Sequence, residues 1–244
     1  MMIRERLYTK LNRFLKRRFQ VKLTRTYGDF ETARDYLIAT AKIDTVVDGG
    51  ANSGQWALRL LSSWSAGLDV VSFEPTALAF AQLVSEAASN PRWDCRQFAL
   101  GDVNGHMNMH LASNQLQSSS LKAPTGHLER YPSVTFSDRE DVSVRRLDSF
   151  LDLYGKKIYL KLDIHGYEFE ALLGSTQLSD EIQVIEVETS FLTMYDSDLT
   201  HYDIIPKIIE MGFNVYAFTP PGCDANGRCL YIDVLLVKKS ILLN

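Results

Sequence analysis

Short apolar runs alternate with amphipathic segments along residues 43–238. Strands are predicted where such a run ends at a turn or an acidic residue. The predicted strands are 43–48, 69–74, 93–100, 106–111, 142–147, 158–163, 182–188, 213–218 and 230–237. The predicted helices are 30–40, 55–61, 77–88, 165–173 and 202–211, with a short one from residue 148. Strands that alternate with helices and end in a hairpin indicate an α/β fold, a doubly wound and mainly parallel sheet with an antiparallel edge.

The segment 112–138 interrupts this alternation. It is rich in serine, contains two prolines and a glycine, and has little periodicity. A loop of this length inside a compact domain is often a functional lid, so we predict a lid here.

The first 25 residues have a different composition from the rest of the chain. They hold nine basic residues against one acid, while the whole chain has a net charge of −4. Apolar residues recur there at helical spacing: Ile3, Leu7, Leu11, Phe14, Leu15 and Phe19. The pattern predicts a basic amphipathic helix within an N-terminal helical extension, residues 1–41, before the main domain, residues 42–244. We expect one of two roles for this helix. It packs on protein, which includes a sister subunit, or it lies on an anionic membrane surface as a peripheral contact.

Bulk properties narrow the class of protein. A hydrophobic content of 45% in 244 residues fits a globular domain, with no apolar stretch long enough to span a bilayer. Its acidic charge argues against nucleic acid as a partner. Three cysteines are too few for a disulfide framework, although Cys223 and Cys229 could pair if neighbouring strands bring them together. A charged N-terminus without an apolar core is unlike a secretory signal, so we expect a cytoplasmic protein.

Two acidic residues mark a candidate cofactor site. Asp48 ends the first strand and opens a glycine-rich turn to Gly54, and Glu74 ends the second strand. Ligands of open α/β sheets bind above the carboxyl ends of such strands. Because a carboxylate can accept from two ribose hydroxyls, Glu74 predicts a nucleoside cofactor.

The glycine spacing bears on which cofactor binds. A dinucleotide loop needs glycine at its first, third and sixth positions, but here Ala51 stands third. Asp48 also suits the cationic end of S-adenosylmethionine better than a diphosphate. We therefore favour S-adenosylmethionine. A NAD-dependent Rossmann oxidoreductase and a non-catalytic module for cofactor binding or membrane recruitment remain alternatives.

Five motifs in one order carry a family resemblance over residues 43–238. They are Asp48–Gly54, Phe73-Glu74-Pro75, Ala99-Leu100-Gly101-Asp102, Lys161–Glu168 and Glu186-Val187-Glu188. Together they resemble the FkbM-type S-adenosylmethionine-dependent methyltransferases. The resemblance implies a class I methyltransferase fold with seven strands, the last antiparallel. It also implies O-methyl transfer to a hydroxyl of a sugar, glycan or secondary-metabolite scaffold.

Carried over residue by residue, the resemblance implies a set of cofactor contacts. The glycine loop, with Gly49, Gly50, Asn52 and Gly54, would hold the methionine part beside Asp48. Glu74 would take the ribose, Asp102 the adenine amino group, and Ser119 would form part of a wall near the cofactor. Asp163 would face the methionyl ammonium or the acceptor.

Three groups are candidates for catalysis: Asp163, His165 and Glu188. A sugar hydroxyl needs a base as the new bond forms, and histidine titrates near neutral pH. His165 is therefore the first candidate, although a plain turn residue fits its position too. Glu188 could be a base, a hydroxyl acceptor or, with Asp163, part of a hard-metal site. No metal ligand set is predicted.

Four other residues have structural interpretations. Glu168 suits the first turn of its helix, and Lys161 suits packing or pairing with an acid. Tyr195 is a candidate wall of the acceptor site, and His127 is expected at the surface of the lid.

Overall fold

The computed structural model describes residues 29–63 and 67–242. The predicted basic helix within residues 1–25 lies outside the described residues. The helices are α1 (Phe30–Thr40), α2 (Gln55–Ser63), α3 (Ala77–Ala87), α4 (Gly126–Arg130), α5 (Glu168–Leu173) and α6 (His201–Glu210). The strands are β1 (Thr45–Gly49), β2 (Asp69–Phe73), β3 (Trp93–Arg96), β4 (Ala99–Leu100), β5 (Gly105–Leu111), β6 (Asp138–Arg145), β7 (Ile158–Leu162), β8 (Ile182–Ser190), β9 (Phe213–Phe218), β10 (Gly222–Cys223) and β11 (Cys229–Lys238). Within the described part of the chain, no helix is both long and apolar enough to cross a bilayer.

The main sheet has the strand order β10-β11-β8-β7-β1-β2-β3. Strand β9 also pairs with β11, along residues 234–238, whereas β10 pairs with residues 229 and 231. The pairs among β3, β2, β1, β7 and β8 are parallel. Strand β11 is antiparallel to both β8 and β9. This is the predicted doubly wound sheet with an antiparallel last strand. The two-residue β10 is an additional, eighth strand.

One predicted strand, residues 93–100, is divided between two sheets. Strand β3 closes the main sheet, whereas β4 pairs with β6 in a small sheet of order β4-β6-β5. The Arg96 carbonyl accepts from the amides of Glu74 and of Phe98, which ends the ladder and turns the chain. A continuous apolar pattern concealed this turn.

The segment 112–138 is tied to the domain rather than structureless. It contains α4, and Ser120 exchanges two backbone hydrogen bonds with His110. The amides of Thr125 and His127 both donate to the carbonyl of Met194 at 3.0 Å. The segment therefore forms a fixed wall over the carboxyl end of the sheet, and its role as a lid stays a prediction.

Apolar side chains cover both faces of the parallel sheet. Successive residues of one strand enter opposite layers: Leu160 packs with one core cluster and Tyr159 with the other. Because both faces are buried, the strands carry few polar side chains before their carboxyl ends. Those ends are where the functional groups collect.

Candidate cofactor and acceptor site

A cavity of about 510 Å³ lies over the carboxyl ends of β1, β2, β7 and β8. That volume is in the range of small-molecule sites. Segment 112–138 supplies one wall. Five of the predicted cofactor residues line this cavity: Gly50, Asn52, Glu74, Ser119 and Asp163.

The glycine loop follows β1 and is held close to the strand end of β7. Gly50 has a φ of +75°, and a Cβ there would lie 2.0 Å from the carbonyl oxygen of Asp163. Glycine is therefore required at this position, on both backbone conformation and space. Asn52 also has a positive φ and donates from its side chain to the carbonyl of Gln115 at 3.1 Å. The loop thus contacts segment 112–138.

Glu74 is buried and already holds three hydrogen bonds. One carboxylate oxygen accepts from the amide and hydroxyl of Thr76, at 2.9 and 2.6 Å. The other accepts from the Asn52 amide at 2.9 Å. Burial raises the pKa of Glu74, and these hydrogen bonds oppose that rise. Since a carboxylate has about four acceptor positions, one is left for a ligand hydroxyl.

Asp48 occupies a different place from the one predicted for it. Its side chain is fully buried, and Lys161 Nζ lies 3.1 Å from its Oδ1. The two residues are neighbours in the β1–β7 register. Although burial alone would lower the pKa of Lys161, attraction to Asp48 and Asp163 raises it, so the lysine stays charged. Asp48 thus neutralises Lys161, a residue of the cavity wall, and does not line the cavity itself.

Lys161 also fastens the glycine loop. Its ammonium donates to the carbonyls of Gly50 at 3.2 Å and Gly49 at 3.4 Å. The interpretation of Lys161 as a partner of an acid is confirmed. The charged ammonium group of Lys161 therefore holds the backbone of the glycine loop in place.

Three other predicted cofactor residues do not line the cavity. A Cβ at Gly49 would contact Leu162, and one at Gly54 would contact Trp93, both at 2.9 Å, so these glycines serve packing. The Asp102 carbonyl accepts from the Arg146 guanidinium at 2.8 Å, and its side chain is absent from the wall. The chain turns at Phe98, which brings Phe98 and Leu100 to the cavity instead.

The three catalytic candidates converge on one side of the cavity. His165 Nδ1 lies 3.7 Å from Asp163 Oδ1 and 3.8 Å from Glu188 Oε1. One ligand atom from each residue falls within 4.8 Å of the others, a spacing that could also hold a hard cation. We call this group the acidic–histidine cluster.

The hydrogen bonds of His165 define its tautomer. Its Nε2 contacts the carbonyl oxygen of Gln117, which can only accept, so Nε2 carries the proton. The lone pair of a neutral His165 is therefore on Nδ1, which faces the two carboxylates. The Ser120 hydroxyl donates to the His165 carbonyl at 2.7 Å and fixes its backbone. His165 has a φ of +52°.

Glu168 holds the turn that presents His165. Its carboxylate accepts from the amides of Ile164 at 3.0 Å and Gly166 at 2.9 Å. Burial raises the pKa of Glu168 to about 7, against the effect of these hydrogen bonds. Glu168 does begin α5, and it also closes the turn before that helix.

Glu188 has a pKa well above its usual value. Burial is the main cause, and the carboxylates of Asp163 and Asp233 add to it. Asp233 is affected in the same way, since burial and Asp163 raise its pKa to about 6. A raised pKa favours the protonated form of Glu188, and His165 remains the first candidate for the base.

Aromatic residues form the rest of the wall on this side. The Tyr195 ring is stacked with that of His165, with centroids 6.2 Å apart. Tyr131 and Tyr231 line the same region. The expectation for His127 was wrong: it is buried against Tyr131 and Phe136, and burial lowers the pKa of its imidazole.

Comparison with protein families identifies the fold and the cofactor. Residues 48–215 match the model of the Methyltransferase FkbM domain, well over half of the chain. The chain belongs to the FkbM methyltransferase family. It is accordingly an S-adenosylmethionine-dependent methyltransferase, and the NAD-dependent alternative is wrong.

Solved structures resemble this methyltransferase at low sequence identity. Methyltransferase FkbM from Methylobacillus flagellatus KT is 15% identical with a TM-score of 0.50, and the match covers 79% of this chain. The chain spans only 43% of that protein's chain. An rRNA methylase from Streptococcus thermophilus is 9% identical with a TM-score of 0.48, covering 88% of this chain and 99% of that one. Magnesium protoporphyrin IX methyltransferase from Synechocystis PCC 6803, with bound SAM, is 10% identical with a TM-score of 0.46, covering 95% and 97%. No curated protein matches the sequence.

Proposed function

We propose that this methyltransferase transfers a methyl group to a hydroxyl of a glycan or a small-molecule scaffold. The observation that carries the proposal is the position of His165, whose Nε2 contacts the Gln117 carbonyl and whose Nδ1 lies beside Asp163 and Glu188. A hydroxyl is a weak nucleophile and gains from a base within hydrogen-bond distance.

The donor half of the site consists of the residues around the glycine loop. Gly50 and Asn52 would lie along the methionine part, and the free acceptor position of Glu74 would take a ribose hydroxyl. Bound S-adenosylmethionine supplies the electrophilic methyl group. The protein residues contribute alignment, since Lys161 and Glu74 hold the loop through its carbonyls and amides.

The acceptor half would manage the proton. In this proposal the acceptor hydroxyl donates to His165 Nδ1, which takes the proton, while Nε2 keeps its own proton and donates it in a hydrogen bond to the Gln117 carbonyl. Asp163 stabilises the resulting imidazolium from 3.7 Å. Glu188, whose pKa is raised mainly by burial, lies beside His165 and would hydrogen-bond an acceptor oxygen.

The walls favour a ring-shaped acceptor. The Tyr195 ring, held by its hydroxyl on the Ser118 carbonyl at 2.9 Å, presents a fixed face beside His165. Tyrosine rings of this kind stack on sugar rings and on apolar scaffolds. We include both acceptor classes in the proposal.

The test uses S-adenosylmethionine with a labelled methyl group and paired acceptors. Each glycan or alcohol is offered beside its amino analogue, with and without a chelator of divalent cations. We expect label in base-stable ethers of the hydroxyl acceptors. Transfer to the amino analogues alone would contradict the proposal, and a loss of transfer with the chelator would assign the acidic–histidine cluster to a metal ion.

We also propose a cytoplasmic enzyme with peripheral membrane contact through residues 1–25. The support is the basic amphipathic pattern of that segment. Flotation with anionic liposomes, compared between the full chain and a chain lacking residues 1–25, tests the contact. Equal flotation would contradict it, and a change in the oligomeric state on deletion would place the helix between subunits.

A further inference from the structure

A pair of cysteines faces one another across the hairpin formed by β10 and β11. Cys223 and Cys229 are direct partners in the antiparallel register, and their Sγ atoms are 3.7 Å apart. Cys223 is exposed and Cys229 is half-buried. The third cysteine, Cys95, lies on β3 at the opposite edge of the main sheet.

The pairing of this hairpin is compatible with a disulfide, and its register shifts between Gly222 and Cys223. Directly opposed residues of an antiparallel pair have Cα atoms about 4.5–5.5 Å apart, within the range that disulfides span. The sulfur atoms are in van der Waals contact. Their separation must shorten to about 2.05 Å when the bond forms. The ring to be closed is short, from Cys223 through the Asp224 turn to Cys229, and that turn is held by the Asp224 side chain.

We propose that Cys223 and Cys229 form a reversible disulfide, a modification site at the rim of the cavity. In the oxidation, one thiolate attacks a sulfur of a small-molecule disulfide such as oxidised glutathione and releases one thiol. The second cysteine then attacks the mixed disulfide and releases the second thiol. The two protein thiols lose two electrons and two protons, and the small disulfide becomes two thiols.

The bond would fix a residue of the cavity wall. Tyr231, two residues after Cys229, lines the cavity and pairs with Gly222 in the same hairpin. A Cβ at Gly222 would lie 2.2 Å from the Tyr231 ring, so the ring lies directly over that glycine. A disulfide between Cys223 and Cys229 would therefore fix the neighbouring Gly222–Tyr231 pair and limit the movement of the Tyr231 ring.

The environment of the thiols sets the conditions for oxidation. The hydrogen bond with Cys229 raises the pKa of Cys223, and the Asp224 carboxylate adds to this. Because thiolate is the attacking species, the bond should form faster as the pH rises toward that pKa. At Cys95 burial raises the pKa to about 11, which makes it an internal control of low reactivity.

The direct test is peptide mapping of the full chain in glutathione buffers. Trypsin cleaves after Arg228, between the two cysteines, so the disulfide joins peptides 208–228 and 229–238. After oxidation we expect this cross-linked pair, the loss of two of the three free thiols, and full reversal by excess reduced glutathione. Cys223→Ser should abolish the cross-link, and Cys95→Ser should leave it unchanged.

A second readout measures the effect on the cavity wall. Amide hydrogen exchange of residues 222–231 should be slower in the oxidised protein than in the reduced protein, with exchange in β1 and β2 unchanged. The proposal is overturned if both cysteines instead carry separate glutathione adducts under oxidation, or if the cross-link forms without slowing exchange in the hairpin. Neither readout depends on methyl transfer, so the result stands apart from the proposed function.

Discussion

The two halves of the cavity differ in how far their polar groups are already satisfied. In the donor half, Lys161 pairs with Asp48 at 3.1 Å and donates to the Gly50 carbonyl, and Glu74 accepts from the amides of Asn52 and Thr76. In the acceptor half, the charged partners of Asp163 are His165 Nδ1 at 3.7 Å and Lys161 Nζ at 3.8 Å, and His165 Nδ1 is 3.8 Å from Glu188, so these side chains stand beyond hydrogen-bond distance of one another. The donor half is therefore pre-organised by contacts within the protein, whereas the side chains of the acceptor half can still hydrogen-bond a ligand.

This difference predicts separate consequences for mutation. Substitutions in the donor half should disrupt the contacts that hold the glycine loop and so reduce stability or cofactor affinity. Changes in the acceptor half should reduce turnover and leave the fold intact, since few native interactions depend on those groups.

The largest effect should follow the loss of the base. His165→Ala should lower turnover of a hydroxyl acceptor by about 10²–10⁴-fold, because the acceptor proton loses its destination. Cofactor affinity measured by calorimetry should be nearly unchanged. His106→Ala, an exposed histidine paired with Asp141, is the matched control. Full turnover in His165→Ala would remove this residue from the mechanism.

Lys161 should matter for stability. Lys161→Met leaves the buried Asp48 carboxylate without its cation, which should cost about 3–5 kcal/mol of unfolding free energy by urea titration. Adding Asp48→Asn removes that charge and should restore most of the loss. If Lys161→Met is as stable as the parent, or if the double variant is no more stable than Lys161→Met, the Asp48–Lys161 pair does not stabilise the fold.

Glu168 predicts a pH dependence. Its folded pKa of about 7 lies above that of an unfolded glutamate, so the folded state binds the extra proton. The folded state is therefore favoured most below about pH 4.5, and stability falls between about pH 4.5 and about pH 7, by about 3 kcal/mol. Glu168→Gln, which keeps the shape without the charge, should lack this part of the fall. Identical pH profiles of unfolding free energy would contradict the assignment.

Glu74 should govern cofactor affinity more modestly. Glu74→Gln replaces a charged acceptor of three hydrogen bonds and of the ribose, so the Kd for S-adenosylmethionine should rise roughly 10–100-fold. A ribose-deoxygenated cofactor analogue should bind the parent weakly and lose little further affinity in the variant. If the analogue and the variant act additively, the ribose does not contact Glu74.

The smallest effect is expected at Asp102. Because its side chain does not line the cavity, Asp102→Ala should change the cofactor Kd by less than about twofold. A larger loss would restore the adenine contact that the family resemblance implied.

Local pattern predicted the sheet, the glycine loop and the positions of Glu74, Asp163 and His165, because strand ends are visible as breaks in apolar runs. It did not reveal the Asp48–Lys161 pair, which depends on the register between two strands distant in sequence. The division of residues 93–100 followed from carbonyl competition at Arg96, and the burial of His127 from contacts with another segment. Such tertiary partners leave little trace in sequence periodicity.

A crystal structure with bound S-adenosylmethionine would test the central claim most directly. We predict a ribose hydroxyl in contact with Glu74 and the methyl carbon about 5–6.5 Å from His165 Nδ1, which leaves room for one acceptor oxygen between them. A methyl group directed away from the acidic–histidine cluster, or a ribose with no contact to Glu74, would contradict it.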